Sequence, residues 1–325
     1  MLNSLTDVTG IKIGHVTDLK NITGCTVVLC EKGAVGGIDQ RGGAPGTRET
    51  DLLHPLHLVQ DVHGILLTGG SAFGLDAASG VMEYLEKKHI GFDTGITHVP
   101  IVPAAVIYDL GIGNSHVRPD RQMGFTACRN AVATEVHQGN IGAGTGACVG
   151  SMFGPDFQMK GGLGMASRDL GKGLVVGALM VVNAFGDVID PRTGTILAGA
   201  RRPPNGSEFA DTLETMRKVP RNRLAFSKGN TVIGVVATNA KLTKEEVNKV
   251  AQMAHNGIAK TIRPAHTMLD GDTIFSLATG QRKADVSLVG AYAAEMVSEA
   301  IISAVRHAKS IGGRIAATDI SSEER

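Results

Sequence analysis

The chain has 325 residues, of which 42% are hydrophobic and 19% charged, and its formal net charge is +1. This length is enough to bury a large core, and the near-neutral charge lacks the basic excess of proteins that bind nucleic acid or a membrane surface. The aromatic share of 4% and the absence of tryptophan also disfavour base stacking. We therefore expect a soluble globular protein.

The four cysteines are dispersed and form no CxxC pair, which favours reduced core thiols over a disulfide framework or a zinc site; they are Cys25, Cys30, Cys128 and Cys148. The N-terminus lacks a basic region followed by an apolar core, and no apolar run approaches the roughly 20 residues of a membrane helix. We expect a cytoplasmic protein with no membrane partner, no nucleic-acid partner, no metal and no cofactor.

The first chemical candidate lies between a buried strand over residues 64–68 and a helix over residues 76–88. Ser71 occupies the glycine-rich turn that joins them, a setting similar to the nucleophile elbow of serine hydrolases. The elbow pattern G-x-S-x-G fails, however, because it requires glycine where the chain has Phe73. A serine hydrolase built on Ser71 remains a rival hypothesis.

Next in the chain, an apolar run over residues 100–110 contains Tyr108 near its end. A tyrosine in such a run is commonly a packed phenol with one hydrogen bond. The segment after it, residues 139–147, contains the dinucleotide pattern G-x-G-x-x-A, but no buried strand precedes it and no helix follows. We interpret it as a tight turn that lines a site. A non-catalytic nucleotide-binding protein that uses the Gly142 to Ala147 loop is the rival from another class.

The clearest buried strand covers residues 173–182 and ends at Asn183. A side-chain amide in that position can donate to a developing oxyanion, although an asparagine that caps a turn fits the same pattern.

A polar segment from Arg201 to Lys228, interpreted as a flexible linker, ends at Asn230-Thr231 and an apolar strand over residues 232–239. Thr231 could simply be a β-branched residue that opens a strand. Alternatively, cleavage of the Asn230–Thr231 bond would make Thr231 an N-terminus with a hydroxyl and an α-amine on one residue. A free α-amine has a pKa of about 7.7–8.0, suited to accept the hydroxyl proton, and N-terminal threonine is a known activated nucleophile.

After this strand, Thr243 and Glu246 have the spacing of a capping box at the start of a helix. Asp270 and Asp272 then precede a strand over residues 274–279, and a last helix covers residues 287–308. Two carboxylates at a strand entrance can orient an amine or hydroxyl, although Asp-Gly-Asp is commonly only a turn.

Together these segments resemble the self-processing L-aminopeptidase/D-Ala-esterase family of N-terminal-nucleophile hydrolases, and within it the 6-aminohexanoate-oligomer (nylon-oligomer) hydrolases. The likeness runs along almost the whole chain. It is carried by Gly69-Gly70-Ser71-Ala72-Phe73-Gly74-Leu75, Ala105-Val106-Ile107-Tyr108-Asp109, Gly142-Ala143-Gly144-Thr145-Gly146, Lys160-Gly161-Gly162-Leu163-Gly164, Val181-Val182-Asn183, Gly229-Asn230-Thr231 and Asp270-Gly271-Asp272-Thr273-Ile274-Phe275.

The resemblance implies an α/β fold of the αββα sandwich type, formed as a single domain of residues 1–325. It implies autocleavage into an α chain of residues 1–230 and a β chain of residues 231–325 that share one core, and homo-oligomers of such heterodimers, which we expect to be tetramers. The expected substrate is a small amide, a short peptide or an oligoamide.

The resemblance also assigns roles to individual residues. It makes Thr231 the nucleophile, Asn183 an oxyanion donor and Tyr108 a phenol of the site, with Asp270 and Asp272 as the pair that positions the nucleophile.

One position departs from the family pattern. Similar sequences often carry a lysine after the Gly-Ala-Gly-Thr-Gly loop, where this chain has Ser151. Either Lys160 supplies that charge, or the rate and its pH dependence differ.

Overall fold

The structure is a computed structural model that describes residues 1–204, 206–218 and 229–320. Its strands are β1 (Lys12–Asp18), β2 (Thr23–Gln40), β3 (Thr47–Arg48), β4 (Asp61–Thr68), β5 (Phe92–Asp93), β6 (His98–Val99), β7 (Ala104–Val106), β8 (Cys148–Val149), β9 (Met159–Lys160), β10 (Gly162–Asp169), β11 (Val175–Asn183), β12 (Asp187–Ile189), β13 (Ile196–Ala198), β14 (Thr231–Ala240), β15 (Ile262–Arg263) and β16 (Thr273–Arg282). Its α-helices are α1 (Ala77–Glu86), α2 (Arg121–Arg129), α3 (Thr212–Lys218), α4 (Lys244–Thr261) and α5 (Val286–His307).

A mixed sheet of nine strands forms the centre of the described chain. Its order is β10-β11-β14-β16-β2-β4-β7-β3, and β1 pairs with β2 beside this path. The pairs β14–β16 and β4–β7 are parallel, and the other pairs are antiparallel. Strand β2 is 18 residues long and pairs with β1 through its first half and with β16 through its second half. It therefore connects the two halves of the sheet.

Three apolar clusters lie between successive layers of helices and strands. The first lies between α4, α5 and one face of β11 and β14. The second joins the opposite face of β11 and β14 to residues of β2, β4 and β7. The third lies between the other face of β2 and β4 and helices α1 and α2. Because strand side chains alternate between faces, β14 gives Val232 and Val236 to the first cluster and Ile233 and Val235 to the second. The layers thus run helices, strands, strands, helices, and the predicted α/β class is confirmed.

Residues from both sides of position 231 build these clusters. The first cluster combines residues 149–198 with residues 232–320, and the second combines residues 5–181 with residues 233–277. Neither segment would bury its apolar surface without the other.

The two long C-terminal helices agree with the sequence pattern. Helix α4 begins with the predicted capping box, in which Thr243 and Glu246 exchange side-chain hydrogen bonds with each other's backbone nitrogen. Helix α5 is long and apolar enough to cross a membrane by length and composition, contrary to the sequence expectation that no apolar run approaches such a span. However, 61% of its most apolar window is buried inside the protein, against β10 and β11. Its composition is that of a core helix.

The prediction of a flexible linker from Arg201 to Lys228 was wrong for the part that the structure describes. Arg201 is buried and pairs with Phe209, and helix α3 covers Thr212–Lys218. The buried Asp187 anchors this segment, because its carboxylate accepts hydrogen bonds from the backbone nitrogens of Ala200 and Thr212, at 2.9 and 2.6 Å. Residues 205 and 219–228 of the predicted linker lie outside the described residues.

The contact between β10 and α5 yields a test of the packing. A Cβ atom on Gly164 would lie 2.1 Å from the carbonyl oxygen of Ala300, so Gly164→Ala requires the helix to move. We expect Gly164→Ala to lower the free energy of unfolding by about 1–3 kcal/mol in urea denaturation. Gly111→Ala is the control, because a Cβ there meets nothing within 4 Å. Equal stability of the two variants would contradict this packing.

Candidate active site

The candidate site lies at one edge of the central sheet, where three neighbouring strands meet. Strands β14 and β16 are parallel, so both begin at this edge, whereas the antiparallel β11 ends there. The register places Asn183, the last residue of β11, directly opposite Thr231, the first residue of β14. A parallel bridge joins Asn230 to Asp270 just before β16. Residues far apart in sequence thus become neighbours.

Thr231 is only 5% exposed, and its hydroxyl lies beside the peptide bond that precedes it. Its Oγ1 donates to the carbonyl oxygen of Asn230 at 2.5 Å. The same oxygen accepts a hydrogen bond from the backbone nitrogen of Gly271 at 2.9 Å. The Gly271 backbone nitrogen would stabilise negative charge on this oxygen, and the Thr231 hydroxyl lies beside the same carbonyl group.

Asp272 holds the start of β14 in place. Its Oδ1 accepts a hydrogen bond from the backbone nitrogen of Val232 at 2.8 Å. Its Oδ2 contacts Nδ1 of His266 at 2.8 Å and accepts from the backbone nitrogen of His266 at 3.1 Å. The carboxylate is 1% exposed, so these contacts replace water. They fix the residue directly after Thr231.

Asp270 lies on the other side of Gly271 and is also buried. Its Oδ2 accepts from the hydroxyl and the backbone nitrogen of Thr267, at 2.6 and 2.9 Å, and its Oδ1 accepts from the backbone nitrogen of Phe185 at 3.3 Å. Burial raises the pKa of Asp270, and the nearby charge of Asp272 raises that pKa further. The two carboxylates anchor both ends of the Asp-Gly-Asp turn.

Asn183 presents its side-chain amide between the strand ends. Its Oδ1 accepts a hydrogen bond from the backbone nitrogen of Cys148 at 2.9 Å, which orients the amide. Its Nδ2 donates to the carbonyl oxygens of Tyr108 and Gly229, at 3.3 and 3.4 Å. Both Nδ2 contacts are long, and one is to the residue just before Asn230. The amide hydrogens thus face the segment that leads to Thr231.

Tyr108 lies at the mouth of a cleft and is 40% exposed. Its ring packs so closely on Gly229 that a Cβ there would lie 2.3 Å from the ring, so glycine is required at that position. The cleft is lined by Tyr108, Asp109, Gly111, Ile112, Gly146, Cys148, Pro155, Gln158, Asn183 and Gly229. The phenol and the Asn183 amide therefore border the same space.

Ser151, at the position where we expect a lysine in similar sequences, contacts the residue before Thr231. Its buried hydroxyl donates to Oδ1 of Asn230 at 2.5 Å. Lys160 is fully buried, and its ammonium donates to the carbonyl oxygens of Gly144, Ala147 and Gly161 at 3.0, 2.6 and 3.1 Å. Burial lowers the pKa of Lys160 to about 8, against the opposing effect of Cys148 and Asp109. In this arrangement Lys160 binds the loop carbonyls and makes no hydrogen bond to Thr231.

The two rival sites lie apart from the strand ends that carry Asn183 and Thr231. Ser71 begins a short 3-10 helix, and among the described residues its hydroxyl has no hydrogen bond to a histidine. The glycine before it, Gly70, donates its backbone nitrogen to the buried carboxylate of Asp109 at 2.7 Å. The Gly142 to Ala147 loop is buried, and the backbone nitrogens of Gly142 and Ala143 donate to threonine hydroxyls. These donors are not available to a phosphate group.

The sequence analysis assigned no role to two residues of the site, Gly271 and His266. Gly271 contributes through its backbone nitrogen, and a Cβ there would lie 2.9 Å from Oγ1 of Thr231. A glycine between two carboxylates could have indicated this close approach. His266 lies six residues before its partner Asp272, and no local pattern links them.

The contacts of Asp272 yield a prediction. Both carboxylate oxygens of Asp272 accept a hydrogen bond from a backbone nitrogen, one from Val232 and one from His266. In Asp272→Asn one of these oxygens becomes an NH2 group, so in either orientation of the amide one backbone N–H loses its acceptor. We expect a loss of about 1–3 kcal/mol in the free energy of unfolding, measured in urea. Asp93→Asn is the control, because this exposed carboxylate only accepts a turn hydrogen bond from Gly95, and its stability should stay within about 0.5 kcal/mol of the wild type. Unchanged stability of Asp272→Asn would contradict the positioning role.

Comparison with known proteins supports the family expected from the sequence. The model of peptidase family S58 matches residues 3–318. An uncharacterized aminopeptidase of Mycobacterium tuberculosis is 42% identical over 343 residues, which covers 96% of each chain. A 6-aminohexanoate-oligomer endohydrolase of Paenarthrobacter ureafaciens is 30% identical over 92% of this chain and 84% of its own. The mycobacterial aminopeptidase thus shares more identity than the nylon-oligomer hydrolase.

The fold has a counterpart among solved structures. The L-aminopeptidase D-Ala-esterase/amidase of Ochrobactrum anthropi, whose structure is described as a variant of the Ntn hydrolase fold, superposes with a TM-score of 0.75 at 20% identity. The match covers 98% of this chain and 91% of the other. The chain has this α/β fold and belongs to peptidase family S58, and it is a hydrolase of peptide or amide bonds.

Proposed function

We propose that the chain is a self-processing N-terminal-nucleophile amidohydrolase in which Thr231 is the nucleophile. One observation carries this proposal. The Thr231 hydroxyl lies 2.5 Å from the carbonyl oxygen of the preceding peptide, and the Gly271 backbone nitrogen donates to the same oxygen. A nucleophile and an oxyanion donor therefore meet at one buried peptide bond.

The first reaction is cleavage of the Asn230–Thr231 bond. Oγ1 of Thr231 attacks the Asn230 carbonyl carbon, and the Gly271 backbone nitrogen stabilises the oxyanion that forms. The C–N bond then breaks, and the hydroxyl proton goes to the departing nitrogen, which becomes the α-amine of Thr231. Water hydrolyses the resulting ester and releases residue 231 as a new N-terminus. Ser151, through its hydrogen bond to Asn230, holds the acyl side of the bond.

The second reaction is turnover of substrate. The released α-amine of Thr231, with a typical pKa of about 7.7–8.0, takes the proton from Oγ1 as the hydroxyl attacks the amide carbonyl. The amine then returns the proton to the leaving amine, and water hydrolyses the acyl-enzyme. After cleavage, the segment that contains Gly229 moves away from the site. Nδ2 of Asn183 then loses its hydrogen bond to the carbonyl oxygen of Gly229, which is one of its two acceptors. This donor then faces the position where the oxyanion of the substrate develops.

The substrate we propose is a short linear amide, such as a peptide or an oligoamide. Support comes from the names of the two relatives, an aminopeptidase and a 6-aminohexanoate-oligomer endohydrolase. The cleft is bordered by the phenol of Tyr108 and the side-chain amide of Asn183, two groups that can form hydrogen bonds with an amide substrate. We also propose a homo-oligomer of processed chains in the cytoplasm.

The processing step is tested with variants of Thr231. We expect wild-type protein to separate into fragments of residues 1–230 and 231–325 on a denaturing gel, Thr231→Ser to cleave as well, and Thr231→Ala to stay intact because it lacks the hydroxyl. Thr238→Ala is the control, because this threonine lies in the same strand, donates to the carbonyl of Val175 and accepts from the backbone nitrogen of Ala240, away from the Asn230–Thr231 bond. Full amidase activity from an intact wild-type chain would contradict the proposal.

The oxyanion role of Asn183 is tested in processed protein. Loss of one such donor costs about a hundredfold to a thousandfold in rate, so we expect Asn183→Ala to lower kcat by that factor while the protein still folds. Asn239→Ala serves as the control, because its side chain also bridges backbone groups, of Val175 and Gly173, at the other end of β14. Full activity of folded Asn183→Ala would remove Asn183 from the mechanism.

A further inference from the structure

Asn230 contributes the carbonyl group of the bond that is cleaved in the proposed processing step, so it is the acyl residue of that reaction. The Thr231 hydroxyl attacks this carbonyl carbon, the C–N bond breaks, and the Asn230 acyl group becomes an ester on Oγ1. Turnover forms the same ester with the acyl residue of the substrate. Water then cleaves the ester C–O bond in both reactions, which restores the hydroxyl and releases a carboxylic acid. Asn230 thus occupies the place of a substrate's acyl residue.

Hydrogen bonds to each polar part of Asn230 hold it in the site. Its backbone nitrogen donates to the carbonyl oxygen of Leu269 at 3.3 Å, and its carbonyl oxygen accepts from the backbone nitrogen of Gly271 at 2.9 Å. Its side-chain Oδ1 accepts from the hydroxyl of Ser151 at 2.5 Å. Asn230 is 3% exposed and Ser151 is fully buried, so the contact between their side chains lies away from water.

The position of the Ser151 hydroxyl is set by the fold around it. The backbone nitrogen of Ser151 donates to the carbonyl oxygen of Phe185 at 3.2 Å. The backbone nitrogen of Phe185 in turn donates to Oδ1 of Asp270 at 3.3 Å, at the start of the turn that contains Gly271. These hydrogen bonds do not involve Asn230. We therefore expect the Ser151 hydroxyl and the Gly271 nitrogen to keep their positions after Asn230 has left.

Departure of Asn230 removes the acceptor of the Ser151 hydroxyl. A buried hydroxyl without a hydrogen-bond partner is costly, so the processed site favours an acyl residue that brings an acceptor to the same position. The side chain of asparagine carries such an acceptor on its Cγ atom. Leucine has nearly the same branched shape but no acceptor, so in this position it would leave the hydroxyl unpaired.

We propose that Ser151 selects the acyl residue of the substrate, and that this residue is an L-amino acid with a hydrogen-bond acceptor on Cγ, as in asparagine. The inference rests on the proposed amidohydrolase function and specifies its substrate class. The α-amine of such a substrate takes the position of the Asn230 nitrogen beside the Leu269 carbonyl, and the Gly271 nitrogen donates to the scissile carbonyl. Ser151 is thus a specificity-determining residue.

The test compares two substrates of nearly equal shape, L-asparaginyl-p-nitroanilide and L-leucyl-p-nitroanilide. For processed wild-type protein we expect kcat/KM to be about tenfold to a hundredfold higher for the asparaginyl substrate, because leucine leaves the Ser151 hydroxyl unpaired. Ser151→Ala removes this donor and Ser151→Cys weakens it, so both should lower the ratio by about tenfold. Ser276→Ala is the control, because this buried serine donates to the carbonyl of Val247 instead, and it should keep the wild-type ratio.

The rate of self-cleavage gives an independent readout, because Asn230 itself is then the acyl residue. In a time course after cell-free translation, we expect Asn230→Leu to be cleaved about tenfold to a hundredfold more slowly than the wild type. The same substitution should have a smaller effect in Ser151→Ala, since the donor is already absent there.

The outcomes separate this inference from the proposed function. A processed and active wild-type protein with an asparaginyl-to-leucyl ratio near one overturns the inference alone, and so does a ratio that both Ser151 variants leave unchanged. If neither Ser151 variant is processed, the cleavage rates decide: slower cleavage of Asn230→Leu than of the wild type supports the inference, and equal rates overturn it. A wild-type chain that stays intact and hydrolyses neither substrate refutes the proposed function, and the inference with it.

Discussion

The site depends on β14 having a parallel strand on one side and an antiparallel strand on the other. Its parallel partner β16 begins at the same edge, and its antiparallel partner β11 ends there. This combination brings Asn183, Thr231 and the Asp-Gly-Asp turn together, although the chain between Asn183 and Asp270 includes a helix of 18 residues. A shift of one residue in either register would turn Thr231 toward the opposite face of the sheet.

The polar groups of this edge are almost fully removed from water. Asn183, Thr231, Asp270 and Asp272 are 4%, 5%, 2% and 1% exposed. Such burial is tolerated because each has hydrogen-bond partners, most of them backbone groups held by the strands and the turn. Since the donors are fixed before any reaction, little reorganisation is needed when negative charge develops at the attacked carbonyl. The same rigidity serves processing and turnover in our proposal.

Local sequence patterns predicted the elements better than the site. The alternation of β14 and the capping box of α4 are local, and the structure has both. The convergence of Asn183, Thr231 and the two aspartates could not be derived locally, because it requires the order and direction of strands. Only the family resemblance indicated it. Gly271 and His266 were missed since one acts through its backbone and the other through a contact that only the turn creates.

In the segment after Arg201, the local composition led to a wrong prediction of a flexible linker. Its polar composition is typical of a linker, yet Arg201 is buried and Asp187 anchors the entrance of α3. Composition averages over residues, so it does not register one buried arginine or one buried carboxylate.

The central claim is that Thr231 becomes the first residue of a separate polypeptide and attacks the substrate through its own hydroxyl. N-terminal sequencing of active protein, after its fragments are separated under denaturing conditions, tests this most directly. The account predicts two sequences, one that begins near Met1 and one that begins Thr-Val-Ile-Gly, in equal amounts. A fully active preparation that yields only the sequence from the start of the chain would contradict it.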